Sequence, residues 1–376
     1  MRITNGNGEI MNSTKLQHVL LSLKLRCQQH CRWIILLTIG ILLIPAAWFG
    51  FRKFQAIHTV KLTGREGVDA LKGKATVYFR GDNYIGYDTL PIQRPPGPID
   101  DALVEGVAGM NNLIDADMVH LRKMPNLGIL DLTATSITGK GLEYIRDART
   151  LRVLWLPRST TDVDLEPLSS LKHVADLNLS YSKVTDDGLR HLSGLTGLWR
   201  LQLTRTKVTD AGLKYLAGLQ NLQELWLEET DVTDAGLADL KGLDKLQDLL
   251  LTQTKVADAG LVNLKQLKNL RELFLDYTLV HGDGLVHLQS LEHLEELRLG
   301  GNDVGDASLK YIGNMSSLKN LCLDGTQITN IGLDHLLGLT HLEFVTFMDT
   351  KVTKEGADKL QKAFPKCRVQ YGNLLR

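Results

Sequence analysis

At 376 residues the chain can hold two or three ordinary domains or one long array of repeats. Hydrophobic residues make up 43% and charged residues 23%, a composition typical of a folded protein rather than of a disordered chain. Lys and Arg together number 43, as do Asp and Glu, so no net charge is available to hold nucleic acid. The four cysteines are too few for a disulfide scaffold and lack the spacing of a zinc site: Cys27, Cys31, Cys322 and Cys367.

Residues 1–32 form an N-terminal tail. Leu16, Val19, Leu20 and Leu23 recur at helical spacing beside basic residues, a pattern typical of an amphipathic helix lying on a membrane surface. The alternative is a frayed extension, with Met11 as the true start.

An apolar segment at residues 33–51 reads WIILLTIGILLIPAAWFGF, 19 residues without a charge. As a helix it would be roughly 28 Å long, close to the ~30 Å hydrocarbon thickness of a bilayer. Arg32 and Arg52 close its ends, and Trp33 and Trp48 fit the two interfaces. A cleaved signal peptide would need a shorter apolar region and a better cleavage site, and a buried core helix would need a polar face. The segment therefore predicts a single transmembrane anchor.

The orientation of this anchor is not decided by charge, because basic residues are equally frequent on its two sides. An N-terminal anchor before one long domain is usually a signal anchor. We therefore expect the domain to be extracytoplasmic.

Residues 52–126 predict a linker followed by irregular N-terminal capping repeats. Residues 90–100, LPIQRPPGPID, have the composition of an extended proline-rich loop. Residues 100–110 and 115–124 resemble the helical halves of two repeats, with a strand between them that is short or absent. The phase of the repeat is ambiguous here.

Ten repeats fill residues 127–365. The leucines that open them are 24 residues apart, except for one interval of 23 residues between Leu151 and Val174. Each repeat follows the pattern LxxLxLxxTxVTDAGLxxLxxL. The opening positions are Leu127, Leu151, Val174, Leu198, Leu222, Leu246, Leu270, Leu294, Leu318 and Leu342.

Each letter of the repeat predicts a structural role. The alternation around Leu225 has the period of a strand, with one face inward and one outward. Thr230 has a side-chain oxygen that can bond the backbone where the strand turns away. Thr233 and Asp234 supply N-cap oxygens for a short helix, and Gly236 leaves the space that stacked coils need. Residues 366–376 read as a C-terminal capping strand, with Val369 and Tyr371 facing inward.

The repeated TDAGL motif resembles that of leucine-rich-repeat proteins of planctomycete-like bacteria, which often carry an N-terminal membrane segment. The resemblance is strong over residues 127–371 and weak before them. It implies an α/β solenoid, a horseshoe with a parallel concave sheet and short convex helices, that works by binding. Eukaryotic F-box receptors carry similar repeats, but residues 1–32 contain nothing that looks like an F-box.

Catalytic chemistry is not indicated. His191, His287 and His335 share one repeat position with tyrosine, aspartate and asparagine elsewhere, which is typical of a tolerant helix surface. There is no phosphate-binding loop and no nucleophile elbow. We therefore predict no enzyme activity, no catalytic or metal-binding residues and no cofactor; an activity, if present, would reside in residues 60–126.

The outward strand face carries the candidate binding residues, because its side chains are not needed for the leucine core. Trp226, Leu250 and Phe274 form an apolar column ringed by carboxylates, which predicts a hot spot for a basic protein or peptide. Alternatively, such cross-strand neighbours only stabilise the sheet, and the protein is an envelope scaffold without a specific ligand. The predicted partner-binding residues are Arg200, Arg205, Glu224, Trp226, Glu228, Glu229, Asp248, Leu250, Glu272, Phe274, Asp276, Tyr277 and Arg298.

The anchor prediction is tested by fractionation. We expect the full chain to stay with the membrane after a carbonate wash, because a spanning helix is not released by high pH. A variant lacking residues 1–51 should be soluble and folded, since the repeats supply their own core. Full-length chain in the carbonate supernatant would contradict the prediction.

Overall fold

The computed structural model describes residues 74–78, 105–109 and 111–373. The N-terminal tail, the apolar segment 33–51 and the proline-rich loop 90–100 lie outside these residues. Within the described residues, no helix is long and apolar enough to cross a membrane.

Thirteen strands of the described chain form one sheet, in which the spatial order follows the chain order. β1 and β2 pair antiparallel, and β2 to β12 pair in parallel. The strands are β1 (Ala75–Tyr78), β2 (Glu105–Gly109), β3 (Leu127–Asp131), β4 (Val153–Trp155), β5 (Asp176–Asn178), β6 (Arg200–Gln202), β7 (Glu224–Trp226), β8 (Asp248–Leu250), β9 (Glu272–Phe274), β10 (Glu296–Arg298), β11 (Asn320–Cys322), β12 (Phe344–Met348) and β13 (Arg368–Gly372).

A short helical segment follows each of the strands β2 to β12. Most are 3₁₀ turns, because leucines at i, i+3 and i+6, such as Leu237, Leu240 and Leu243, match three residues per turn. The 3₁₀ segments are Asp115–Lys123, Glu143–Ile145, Asp162–Ser170, Arg190–Leu192, Gly236–Leu240, Asp258–Gln266, Asp283–Ser290 and Gly332–Gly338. The α-helices are α1 (Gly139–Leu142), α2 (Asp186–Leu189), α3 (Asp210–Leu213), α4 (Asp306–Ile312) and α5 (Lys354–Ala363).

The core is one continuous stack of leucines. Leu222, Leu225 and Leu227 each have 0% exposure, and the same positions are buried in the neighbouring coils. Each repeat forms one coil of the solenoid. A single coil of this size cannot enclose its own side chains, so this burial comes from the coils on either side.

The threonine after each strand makes the predicted backbone contact. The hydroxyl of Thr230 donates to the carbonyl of Leu227 at 2.6 Å, where the chain leaves the sheet. Other coils repeat this bond at Thr135, Thr206, Thr254, Thr278, Thr326 and Thr350.

The Thr-Asp pair of the motif has a role that differs in part from the prediction. Thr209 caps its helix, since its hydroxyl accepts from the backbone N–H of Ala211 at 3.3 Å. Asp210 instead bonds the next coil: its carboxylate accepts from the N–H of Thr233 at 2.8 Å and from the hydroxyl of Thr233 at 2.6 Å. The prediction of aspartate as an N-cap is therefore wrong, and this residue links coils.

The glycine of the motif completes the same contact. A Cβ on Gly236 would collide with the Oδ1 atom of Asp210 in the preceding coil. Threonine and glycine of one coil thus fit around the aspartate of the coil before it, which explains why T, D and G recur together. The equivalent glycines are Gly141, Gly188, Gly212, Gly260 and Gly332.

The two ends of the described array differ from the sequence predictions. Part of segment 100–110, which resembles a helical half, is strand β2, and Val107 pairs with Leu130 of β3 and is 1% exposed. This five-residue segment contains two glycines, which disfavour a helix, and it pairs with β1 and β3, so the helical interpretation is wrong. Residues 115–123 are helical as predicted. At the other end Val369 packs against the core, whereas Tyr371 is 36% exposed and does not face inward.

The contact between coils can be tested by a double-mutant cycle. Asp210→Ala should destabilise by about 1 to 3 kcal/mol through lost hydrogen bonds, and Gly236→Ala should destabilise by a similar amount through its collision with that carboxylate. In the double variant the collision with the carboxylate is gone. The destabilisation of the double variant should therefore be smaller than the sum of the destabilisations of the two single variants. Strict additivity in chemical unfolding would contradict the shared contact.

Candidate functional site

Two rows of side chains run across the strands on the sheet face opposite the core. The acidic row is defined as Glu224, Asp248, Glu272 and Glu296, which are direct neighbours on β7 to β10. The apolar row is defined as Trp226, Leu250 and Phe274, two residues further along β7, β8 and β9. The structure therefore places the predicted apolar column beside a row of carboxylates, three of which belong to the predicted ring, as the 24-residue period requires.

Several of the predicted binding residues are buried, although they point away from the core. Trp226 and Leu250 each have 8% exposure, and Asp276 has 1%. Arg200 and Glu224 are equally well covered. The expectation that this face is fully exposed is thus wrong for these five residues, because neighbouring side chains on adjacent strands cover one another.

Arg200 is the centre of a buried ion network. Its Nη1 lies 3.2 Å from Oδ2 of Asp176, and its Nε lies 2.5 Å from Oε2 of Glu224. The guanidinium also stacks at 4.5 Å on the ring of Trp199. Burial raises the pKa of Asp176 to about 6, although the charge of Arg200 opposes this. Arg200 and Glu224 are therefore already satisfied by partners within the chain.

Arg298 forms a second internal pair. Its Nε donates to Oδ2 of Asp276 at 2.8 Å, and its guanidinium lies 4.9 Å from the ring centre of Phe274. The N–H of Gly300 donates to the other oxygen of Asp276 at 2.8 Å. Asp276 thus fixes the turn after β10, and Arg298 covers part of Phe274.

Residues at the strand ends hold an uncommon backbone geometry. Glu229 (φ 53°), Tyr277 (φ 54°) and Arg205 (φ 57°) are in the left-handed region, and Arg205 pairs with Glu229 at 2.5 Å. Glu229 is thus half-buried and paired with Arg205. Burial, together with the charge of Glu229, raises the pKa of Glu228 to about 7, although the hydroxyl of Thr204 donates to it at 3.2 Å.

Asp248 and Glu272 are the carboxylates of the acidic row without an ion pair or side-chain hydrogen bond within the described chain. They lie directly opposite each other on β8 and β9. Burial and then the charge of Glu272 raise the pKa of Asp248 to about 8. Burial and the charge of Glu296 raise the pKa of Glu272 to about 7. This pair is the part of the face whose electrostatics are unsatisfied.

Sequence reasoning missed Asp176 and the left-handed turn. Asp176 could have been found by reading the column two residues after each opening leucine, where Arg200 stands between Asp176 and Glu224. The turn is signalled by Gly301 and Gly325, which fill the position of Glu229 in later coils. Within the described residues, no group of three or more His, Cys, Asp or Glu side chains is placed to hold a metal ion.

Comparison with known proteins identifies the repeat. The leucine-rich repeat family model matches residues 290–313. No curated protein matches the chain in sequence. An internalin from Listeria monocytogenes is similar in fold, with 22% identity and a TM-score of 0.52 over 70% of this chain and 86% of its own. A TDR receptor is also similar, with 14% identity and a TM-score of 0.50 over 70% of this chain and 46% of its own. The family-model match and the similarity in fold support a leucine-rich-repeat solenoid.

Proposed function

We propose that this protein is a membrane-anchored, non-enzymatic binding module whose sheet face grips a basic segment of a protein or peptide. The observation that carries the proposal is the pair Asp248 and Glu272, two carboxylates held side by side without a cation in contact. A lysine or arginine from a partner would supply the missing charge.

The electrostatic repulsion between Asp248 and Glu272 destabilises the fold, and this supports a role in binding. Adjacent strands are about 4.8 Å apart, so the two carboxylates repel each other where water is partly excluded. Nearby Arg200 and Glu224 show that the same face can pair its charges when the coil supplies an arginine. Since β8 and β9 supply none in this row, the face is left complementary to a cation.

Several predicted contact residues take a supporting role in this proposal. Glu224 and Asp276 neutralise Arg200 and Arg298, and their removal would take an ion-pair partner from a guanidinium in a covered position. Phe274 remains the accessible member of the apolar row, since Trp226 and Leu250 are nearly covered. The centre of the proposed site therefore moves from Trp226 to Asp248, Glu272 and Phe274.

The apolar segment 33–51 supplies the anchor in this proposal. Its length and its freedom from charge support a spanning helix, with the repeats extracytoplasmic. The alternative is a structural envelope protein without a ligand. The burial of Trp226 and Leu250 favours that alternative, because it leaves few apolar side chains free for a partner.

The unsatisfied pair predicts a pH-dependent stability. The pKa of Asp248 is raised to about 8, so the folded chain holds this proton more tightly than the unfolded chain, and stability falls as the pH rises from about 4 to about 8. Asp248→Asn should therefore raise the Tm at about pH 8.5 by about 2 to 4 °C and flatten this pH dependence. Asp231→Asn, at an exposed aspartate paired with Lys255, is the control and should not stabilise. Destabilisation by Asp248→Asn would show that the carboxylate already has a partner.

The binding proposal is tested with a hexalysine peptide and the full-length chain. Because a cation favours the ionised pair, binding should strengthen from about pH 6 to about pH 8.5 and release about one proton, measured by calorimetry in two buffers of different ionisation enthalpy. The Asp248→Asn and Glu272→Gln variants should lose this proton release, whereas Asp231→Asn should keep it. Binding without proton release in the wild type would move the site off this pair.

A further inference from the structure

Two arginines stack on Tyr181 where the chain leaves the sheet. The guanidinium carbon of Arg158 lies 4.8 Å from the ring centre, and that of Arg205 lies 5.5 Å from it. The three residues occupy the same position in three consecutive coils. Two positive groups are thus held on one ring, about 10 Å apart at most.

The backbone beneath two of these side chains is strained. Tyr181 has φ 64° and Arg205 has φ 57°, in the left-handed region that favours glycine. The backbone N–H groups continue the ladder between coils, donating to the carbonyls of Thr204 and Glu228 at 2.7 and 2.9 Å. Glycine would make the same bonds, as it does at this position of later coils. Non-glycine residues hold the same conformation at this position in other coils, at Glu229, Gln253, Tyr277 and Asp349. What distinguishes Tyr181 and Arg205 is therefore the contact of guanidinium groups with the tyrosine ring.

The surroundings of Tyr181 are positively charged. Lys183 and Lys207 are exposed, two residues after Tyr181 and Arg205 in their coils. The backbone N–H of Lys183 donates to the carbonyl of Thr160 at 2.8 Å, which joins its coil to the coil that carries Arg158. Among the described residues, Glu229 pairs with Arg205, and no ion pair is formed by Arg158, Lys183 or Lys207. We name this group the basic corner: Arg158, Tyr181, Lys183, Arg205 and Lys207.

We infer that the basic corner binds an acidic peptide segment: Arg158, held on the ring of Tyr181, and the exposed Lys183 and Lys207 pair with its carboxylates, while Arg205 stays paired with Glu229. The cations are spread over three coils about 4.8 Å apart, a distribution that matches several carboxylates along an extended chain better than one small anion. The ring of Tyr181 restrains Arg158 by a cation–π contact, which reduces the entropy lost on binding. The segment's charge complements a cluster that the chain's own acids leave mostly unneutralised.

This site is separate from the acidic row and does not depend on the proposed function. The corner belongs to the coils of β4 to β6, and the Asp248–Glu272 pair to those of β8 and β9. If both sites bind one partner, a step that does rest on the proposed function, then its acidic and basic segments must follow in a fixed order. The basic corner and the Asp248–Glu272 pair would in that case fix the orientation in which the partner binds.

The inference is tested with a fluorescent hexaglutamate peptide titrated into the full-length chain. Arg158→Gln should weaken binding by about fivefold or more through one lost charge-assisted contact. Tyr181→Asn should weaken it similarly, since asparagine accepts positive φ and the fold should keep its Tm. Gln253→Asn, a change to asparagine at the same repeat position (φ 58°) outside the corner, is the control and should alter binding by less than about twofold.

Equal hexaglutamate affinity in wild type, Arg158→Gln and Tyr181→Asn would overturn the inference. So would displacement of the peptide by inorganic phosphate at constant ionic strength, which would assign the corner to a small anion. Arg158→Gln should retain the proton release seen with hexalysine, and Asp248→Asn should retain hexaglutamate binding. The two sites therefore fail or succeed independently.

Discussion

The fold depends on one constraint: no coil can bury its own leucines, so each coil is folded only against its neighbours. That requirement makes the repeat length strict, because a slipped coil would expose its inward leucines. The Asp–Thr–Gly contact enforces the register, since Thr233 and Gly236 both fit around Asp210 of the coil before. The one shorter interval, after Leu151, keeps this contact through Asp162 and Thr185, so the loss of a residue is absorbed in the turn.

The sequence predicted what is local to a coil. Inward leucines, the bond from Thr230 to its own coil and the space at Gly236 follow from periodicity and side-chain chemistry alone. The role of Asp210 did not, because its partner lies in the next coil and a Thr-Asp pair before a helix has the same letters as an N-cap. Strand β2 was missed for a similar reason: its five residues carry no clear period of their own, and its pairing with β3 is set by the stack.

The outward face shows the same division. Each residue of the candidate site could be placed on this face from its position in the repeat, but its burial could not, because cover comes from residues 24 positions away in sequence. Arg200 is satisfied only because Asp176 and Glu224 flank it on adjacent strands. Asp248 and Glu272 lack a cation because their neighbours in the row are carboxylates, on one side each other and on the other side Glu224 and Glu296. Both arrangements follow from the residues at equivalent positions of successive coils, which are neighbours across the strands, and not from the residues within one coil.

In a stack of near-identical coils, a departure from the repeat is informative when it costs stability. Burial and a neighbouring carboxylate raise the pKa of Asp248 (through Glu272) and of Glu272 (through Glu296), and Tyr181 and Arg205 hold a backbone conformation that glycine adopts freely. Neither cost is needed by the leucine core or by the contact between coils. The repeat already contains less costly solutions: an arginine at the equivalent position of β6, Arg200, and a glycine in the turn at Gly325. Because these alternatives were available within the same architecture, the costly residues are where selection for binding, rather than for folding, is expected to act.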